Sequence, residues 1–245
     1  MKYVIAGGGA YGTHYLKKIQ IALEKGKINL DEVIVVDKNP DCKAKEEIGN
    51  LPKASIWVGS WNEFSHEVWN NRQSLIEDVW IPAPLAPHIL SDWIIIKLER
   101  ELGLEYVQST KEPKLPDIPF AHVTPDGRIL LSHAPGKCPL DCIEPEVCAI
   151  TEDTRWWEMR DTLVEMLNSE HSPVQPKGVA MFFCKHHCDA GQHDVGGISF
   201  KTIYEETDKI LHHLKSGNCA FGIATFSSCH GVMNLFESTL PVATN

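Results

Sequence analysis

Apolar positions recur with two rhythms along this chain, and their order sets out an α/β protein. The opening run from Tyr3 to Ala6 is a short apolar strand, followed by Tyr15, Ile19, Ala22 and Leu23 at helical spacing. Glu32 to Asp37 is a second strand, Ser55 to Gly59 a third and Asp78 to Ala83 a fourth, with a helix over 62–76 before the last. A helix over 89–102 and a strand at 105–108 close a β-α series. Residues 111–136 carry five prolines and a hairpin, Phe120 to Val123 and Arg128 to Ser132 about the turn Pro125-Asp126-Gly127. A helix over 155–167, a strand over 178–183, a helix over 200–214 and a strand over 219–226 follow. The expectation is a doubly wound parallel sheet in which 179–183 and 219–226 continue the strands of the front half. It divides into a portion 1–110 and a portion 111–245 within one body.

The turn between the first strand and helix reads Gly7-Gly8-Gly9-Ala10-Tyr11-Gly12. Gly7, Gly9 and Gly12 satisfy G-x-G-x-x-G after a strand and at the opening of a helix, the context the motif requires. Such a turn lets a pyrophosphate approach the backbone and meet the helix N-terminus. Asp37 ends the second strand, where an acid can bond ribose hydroxyls. It repels a 2′-phosphate and so favours NAD, while the adjacent Lys38 leaves NADP as the alternative. This front half resembles the Rossmann-fold NAD(P)-binding family, most closely over residues 1–40 and more loosely to about 110. The resemblance implies a dinucleotide held by Gly7, Gly9, Ala10, Tyr11, Gly12 and Asp37.

Seven of the eight cysteines lie between Cys138 and Cys229. Cys138, Cys142 and Cys148 are spaced C-x3-C-x5-C in a loop threaded with Pro139 and Pro145. Reduced thiols this close can share a metal. Several cysteines in one proline-containing stretch resemble iron–sulfur loops in general, with 4Fe-4S expected and structural zinc as the alternative. Cys184, at a strand end, is the first choice for a fourth ligand, Cys188 the second and the Cys229-His230 pair the third. Trp156-Trp157 reads as core packing or as a shield over such a cluster. The loop and its flank carry Asp141, Glu144, Glu146, Glu152 and Asp153 without a lysine or arginine. That surround lowers a cluster's reduction potential and suits docking to a basic redox partner.

Charge narrows the partners. Lys and Arg number 23 against 33 Asp and Glu, a formal net charge of −10. Such a surface repels phosphate backbones and anionic lipid, so neither nucleic acid nor a membrane is the expected partner. The apolar run at Trp93 to Leu98 is far below the roughly 20 residues that span a bilayer. No secretory leader pattern fits the N-terminal residues, and the expected location is cytoplasmic, where thiols stay reduced. The combined expectation is an oxidoreductase joining a nicotinamide dinucleotide to an iron–sulfur cluster, acting on a small-molecule substrate or a redox partner protein. His88, past a strand end, and His133, beside the cysteines, are candidate proton donors. The alternatives are a non-enzymatic redox or nucleotide sensor and a zinc-stapled NAD-binding protein; a homodimer is the default oligomer.

Overall fold

The computed structural model describes residues 1–82, 88–109, 118–136, 138–170, 172, 174, 176–184 and 195–239. They form a mixed α/β structure with two sheets and divide into two compact units. The first comprises Met1–Ile89, Pro139–Ile143 and Cys184–Tyr204; the second comprises Leu90–Cys138, Glu144–Phe183 and Glu205–Asn245.

In the first unit, β1 (Lys2–Ala6), α1 (Ala10–Glu24), β2 (Glu32–Asp37), α2 (Lys45–Ile48), β3 (Ala54–Val58), α3 (Trp61–Asn70), α4 (Arg72–Leu75) and β4 (Val79–Ile81) follow in order. The sheet runs β3-β2-β1-β4-β9, where β9 is Ile198–Ser199. The first four strands are parallel and β9 is antiparallel to β4. Tyr3, Val4 and Ile5 are fully buried, the continuous apolar run expected of a strand covered on both faces. α1 buries Tyr15, Leu16, Ile19 and Ala22 at spacings that keep one face inward, and packs Leu16 and Ile19 into a core with Ile5, Val33, Val35 and Ile81. α3 starts at a capping box: Ser60 accepts the Glu63 N–H and the Glu63 carboxylate accepts the Ser60 N–H. Asp78 ties strands together, its carboxylate accepting the Lys2 N–H at 2.6 Å and its carbonyl the Phe200 N–H at 2.9 Å. Burial raises the Asp78 pKa.

The second unit holds most of α5 (His88–Leu102), then β5 (Tyr106–Gln108), β6 (Phe120–Val123), β7 (Ile129–Ser132), α6 (Met159–Asn168), β8 (Val179–Phe183), most of α7 (Phe200–Lys215), β10 (Ala220–Phe226) and β11 (His230–Ser238). Its six-stranded sheet has the order β6-β7-β11-β10-β8, with β5 also pairing β11. Only β8 and β10 are parallel; the other pairings are antiparallel. Met159, Leu163, Met166 and Leu167 of α6 pack with Ile129, Leu131, Ala224, Met233 and Leu235 of the sheet, forming a core of this unit's own.

Four expectations are corrected. The sheets are mixed, so a purely parallel sheet is not what these residues build. The strands at 179–183 and 220–226 do not extend the first sheet but belong to the second, because β10 turns back through Ser227–Cys229 into β11. The strand at 106–108 leaves the front series and pairs with β11. The helix expected over 62–76 breaks at Asn71, whose backbone leaves the helical region. No helix among the described residues is long and apolar enough to cross a membrane.

Because Leu163 is fully buried in the second core, Leu163→Ala should destabilise that unit by about 2–5 kcal/mol. Native-state hydrogen exchange would register faster exchange in β7, β10 and β11 with β1 and β2 unchanged. Equal loss in both sheets would mean the two cores are not separable.

Candidate functional site

Each unit carries one constellation of interest. In the first it is the turn from β1 into α1. Gly7 has φ +87°, a conformation that L side chains rarely adopt, and its N–H donates to Val36 O at 3.0 Å. A Cβ at position 12 would lie 1.9 Å from the Gly7 carbonyl oxygen, so only glycine lets α1 start this close to the turn. A Cβ at Gly9 would meet nothing within 4 Å; the space beside it is open. Gly9 is the N-cap of α1, no side chain caps it, and the first turn holds no acidic residue. The N–H groups of a helix's first turn have no partner inside the helix, and its dipole favours an anion there. Ala10 and Tyr11 lie in that turn. Asp37, at the end of β2, accepts the Gly8 N–H at 2.7 Å on one oxygen and the Asn39 N–H at 2.9 Å on the other. A carboxylate has about four acceptor positions, so two remain.

His88 is the half-buried first residue of α5. Cys142 and Cys184 also belong to the first unit. Cys142 sits in a tight turn, its N–H donating to Pro139 O at 3.1 Å. Cys184 follows β8, and its charge adds to the burial that pushes up the Tyr15 phenol pKa.

In the second unit, β11 carries the other constellation. Its antiparallel register places His230 opposite Ser132 at the end of β7. The His230 Nδ1 is 2.9 Å from Ser132 Oγ, and the Nε2 is 3.1 Å from Cys138 Sγ. The turn leading into His230 is held by Glu144, whose carboxylate accepts the Ser228 N–H at 3.1 Å, the Cys229 N–H at 2.9 Å and the Ser227 hydroxyl. Glu144 adopts φ +55° in doing so. The Cys229 carbonyl accepts the His133 N–H at 3.0 Å.

His133 is 5% exposed, with its imidazole stacked on Trp157 at 5.4 Å and its Nε2 3.3 Å from Thr162 Oγ. Burial, reinforced by His230, lowers its pKa. The tryptophan pair is split: Trp157 is buried and donates its indole N–H to Cys229 Sγ at 3.2 Å, whereas Trp156 is 79% exposed. Burial pushes the Cys229 thiol up to about 12, so it stays protonated beside Trp157. Cys148 is also buried, but the backbone N–H groups of Thr151 and Ile150 turn toward its sulfur and lower its pKa.

Cys138 and Cys148 belong to the second unit, Cys142 and Cys184 to the first, and Cys188 lies outside the described residues. Among the described residues no three His, Cys, Asp or Glu side chains group to hold a metal ion. The Cys138–His230 spacing is that of a direct contact. Two ligands of one tetrahedral zinc, at about 2.3 Å for sulfur and about 2.0 Å for nitrogen, lie about 3.5 Å apart; 3.1 Å is a direct thiol–imidazole hydrogen bond. Sequence reasoning considered His230 only as a spare ligand and passed over Ser132 and Glu144. Reading β11 as a strand was the signal that would have brought Ser132 and His230 together.

A family model described as "AF_1314_C: Uncharacterized protein, C-terminal domain" matches residues 90–239, more than half of the chain. It begins where the second unit begins and takes in the Cys138–His230 pair. No curated protein matches the sequence.

The His133 shift gives a pH dependence. An unfolded histidine titrates near 6.5 and folded His133 below that, so between the two values the unfolded chain binds more protons. Stability from this residue is complete above about pH 6.5 and falls as pH drops toward the lower, folded value. The Tm of wild type relative to His133→Phe, which keeps a ring on Trp157, should therefore fall between about pH 7.5 and about pH 5.5. A constant difference would show that His133 titrates alike in both states.

Proposed function

The chain belongs to the AF_1314_C family of that C-terminal domain, and we propose that its first unit is a Rossmann-like site for a nicotinamide dinucleotide, making the protein an NAD-dependent oxidoreductase. The observation that carries this reading is the division of labour among three glycines. Gly7 makes the turn at positive φ, Gly12 allows the 1.9 Å approach, and Gly9 leaves open space at an uncapped helix N-terminus. A turn that merely joined a strand to a helix would need the first two and not the third. The parallel order β3-β2-β1-β4 supports the reading, since a ligand in such a sheet lies at the carboxyl ends of the strands, where this turn sits. The antiparallel β9 departs from the usual pattern at the sheet's edge and leaves the β1–α1 turn untouched.

The residues fit the group in chemistry as well as space. The α1 N-terminus would receive the pyrophosphate, with no first-turn acid to oppose it. Asp37, held by the Gly8 and Asn39 N–H groups, keeps two acceptor positions for the two adenosine ribose hydroxyls. Its charge selects NAD over NADP. Bound, the nicotinamide ring supplies a hydride acceptor, and its oriented ring and excluded water are what the protein adds. We assign His88 to proton transfer with a small-molecule substrate, on its place at the start of α5 after the β4 end.

Titration of NADH into the full chain by isothermal calorimetry tests the assignment. Because a Cβ at residue 9 meets nothing and its φ is −75°, Gly9→Val should still fold, with a Tm lowered only by the loss of a favourable N-cap residue, about 1 kcal/mol. It should lose at least about tenfold in affinity, about 1.4 kcal/mol. Binding that Gly9→Val leaves intact would move the nucleotide elsewhere; no binding of NADH by wild type would remove the function.

A further inference from the structure

Cys138, His230 and Ser132 form a connected chain within the second unit. The Ser132 hydroxyl donates its one proton to Ala134 O, at 2.6 Å. Its lone pairs then accept, from the Ala134 N–H at 3.2 Å and from His230 Nδ1 at 2.9 Å. In this arrangement His230 carries its proton on Nδ1 and turns the Nε2 lone pair to the Cys138 thiol 3.1 Å away. A nucleophile, a base in hydrogen-bond reach and a third group that fixes the base's tautomer are the three parts of an activated nucleophile, recognisable by geometry in any fold. Serine here takes the orienting place.

The base and the serine beside it are held on paired strands. His230 opens β11, and its register opposite Ser132 is continued by the pairs Gly231–Leu131, Val232–Leu130 and Met233–Ile129. Glu144 grips the preceding turn through three donors. A cavity of about 460 Å³ opens beside the imidazole and shares Ser132 and His230 with the chain. Phe120, Ala121, Leu130 and Leu131 form its apolar wall and His122 adds a polar group. That volume and lining suit a short apolar acyl group rather than a charged one.

We propose that this site is a cysteine acyl-transfer centre, acting on esters or thioesters of small apolar acids. Cys138 is the catalytic nucleophile, His230 the base, and Ser132 a positioning residue. The thiol proton passes to His230 Nε2 as sulfur attacks the acyl carbonyl. The carbonyl–leaving group bond breaks, the departing alcohol or thiol takes that proton, and the acyl group remains on Cys138 as a thioester. Water, deprotonated by the same imidazole, attacks the thioester; the acid leaves, the sulfur regains the proton, and the ester plus water has become acid plus alcohol. The inference uses residues of the second unit alone and stands or falls separately from dinucleotide binding.

p-Nitrophenyl butyrate, mixed with the full-length protein, is the probe. Expected is a burst of about one nitrophenolate per chain, with a butyryl group found on the Cys138 peptide by mass spectrometry after acid quench. Cys138→Ser should abolish the burst and His230→Asn should slow acylation about 100-fold or more. Ser132→Ala should slow it less and Ser132→Thr, which restores the hydroxyl, should recover it. Cys219→Ser, at an exposed cysteine outside the site, should leave it unchanged. A readout on wild type guards against misfolded variants: with limiting iodoacetamide at neutral pH, half-buried Cys138 should be alkylated before exposed Cys219. Labelling in the order of exposure, acylation on another cysteine, or a rate indifferent to His230→Asn would each overturn the proposal.

Discussion

The carbonyl oxygen of Gly7 would sit 1.9 Å from any Cβ at residue 12, and this steric constraint governs the first unit. It lets α1 begin against the end of β1, so Leu16 and Ile19 reach Ile5, Val35 and Ile81 in one core. It also aims the helix N-terminus past Gly9 into open space. A side chain at position 12 would have to push the helix away, and the uncapped amide end and the Asp37 carboxylate would no longer flank one opening. The packing of α1 and the opening beside Gly9 thus depend on the same contact.

The second unit rests on a different device, the non-local pairing of β11. Nine residues long, that strand pairs β10, β7 and β5. Its first residue acquires chemical meaning only from the register, which sets His230 across from Ser132. Glu144 contributes from far along the chain by neutralising three donors of the turn before it. This is a scaffold of strand ends and a clamped turn, and scaffolds of that kind hold side chains in place better than loops do. The family match covers this unit's whole sheet, so the triad lies in the part of the chain that the family defines.

The parts that sequence made legible are those written in adjacent residues. β1, the glycine turn, α1 and Asp37 are encoded within a few dozen positions, and the hairpin at 120–132 announces itself through Pro125-Asp126-Gly127. The second sheet is different. β11 reads Val232-Met-Asn-Leu-Phe236 with no alternation, since Asn234 is buried among apolar residues, and besides the adjacent β10 its partners β7 and β5 lie roughly a hundred residues or more away. The cysteines show the same limit of local reading. Spacing suggested that Cys138, Cys142 and Cys148 share a ligand, but the neighbour of Cys138 is an imidazole 92 positions along the chain. That thiol–imidazole pair is invisible to any local window.

The central claim is that the β1–α1 turn is an anion and ribose site. Backbone amide shifts of ¹⁵N-labelled protein, followed during addition of NAD, test it residue by residue. The account predicts that the largest movements fall on Gly8 to Gly12 and on Asp37 to Asn39, saturating together. Shifts confined to other residues, with those amides unmoved at saturating NAD, would contradict it.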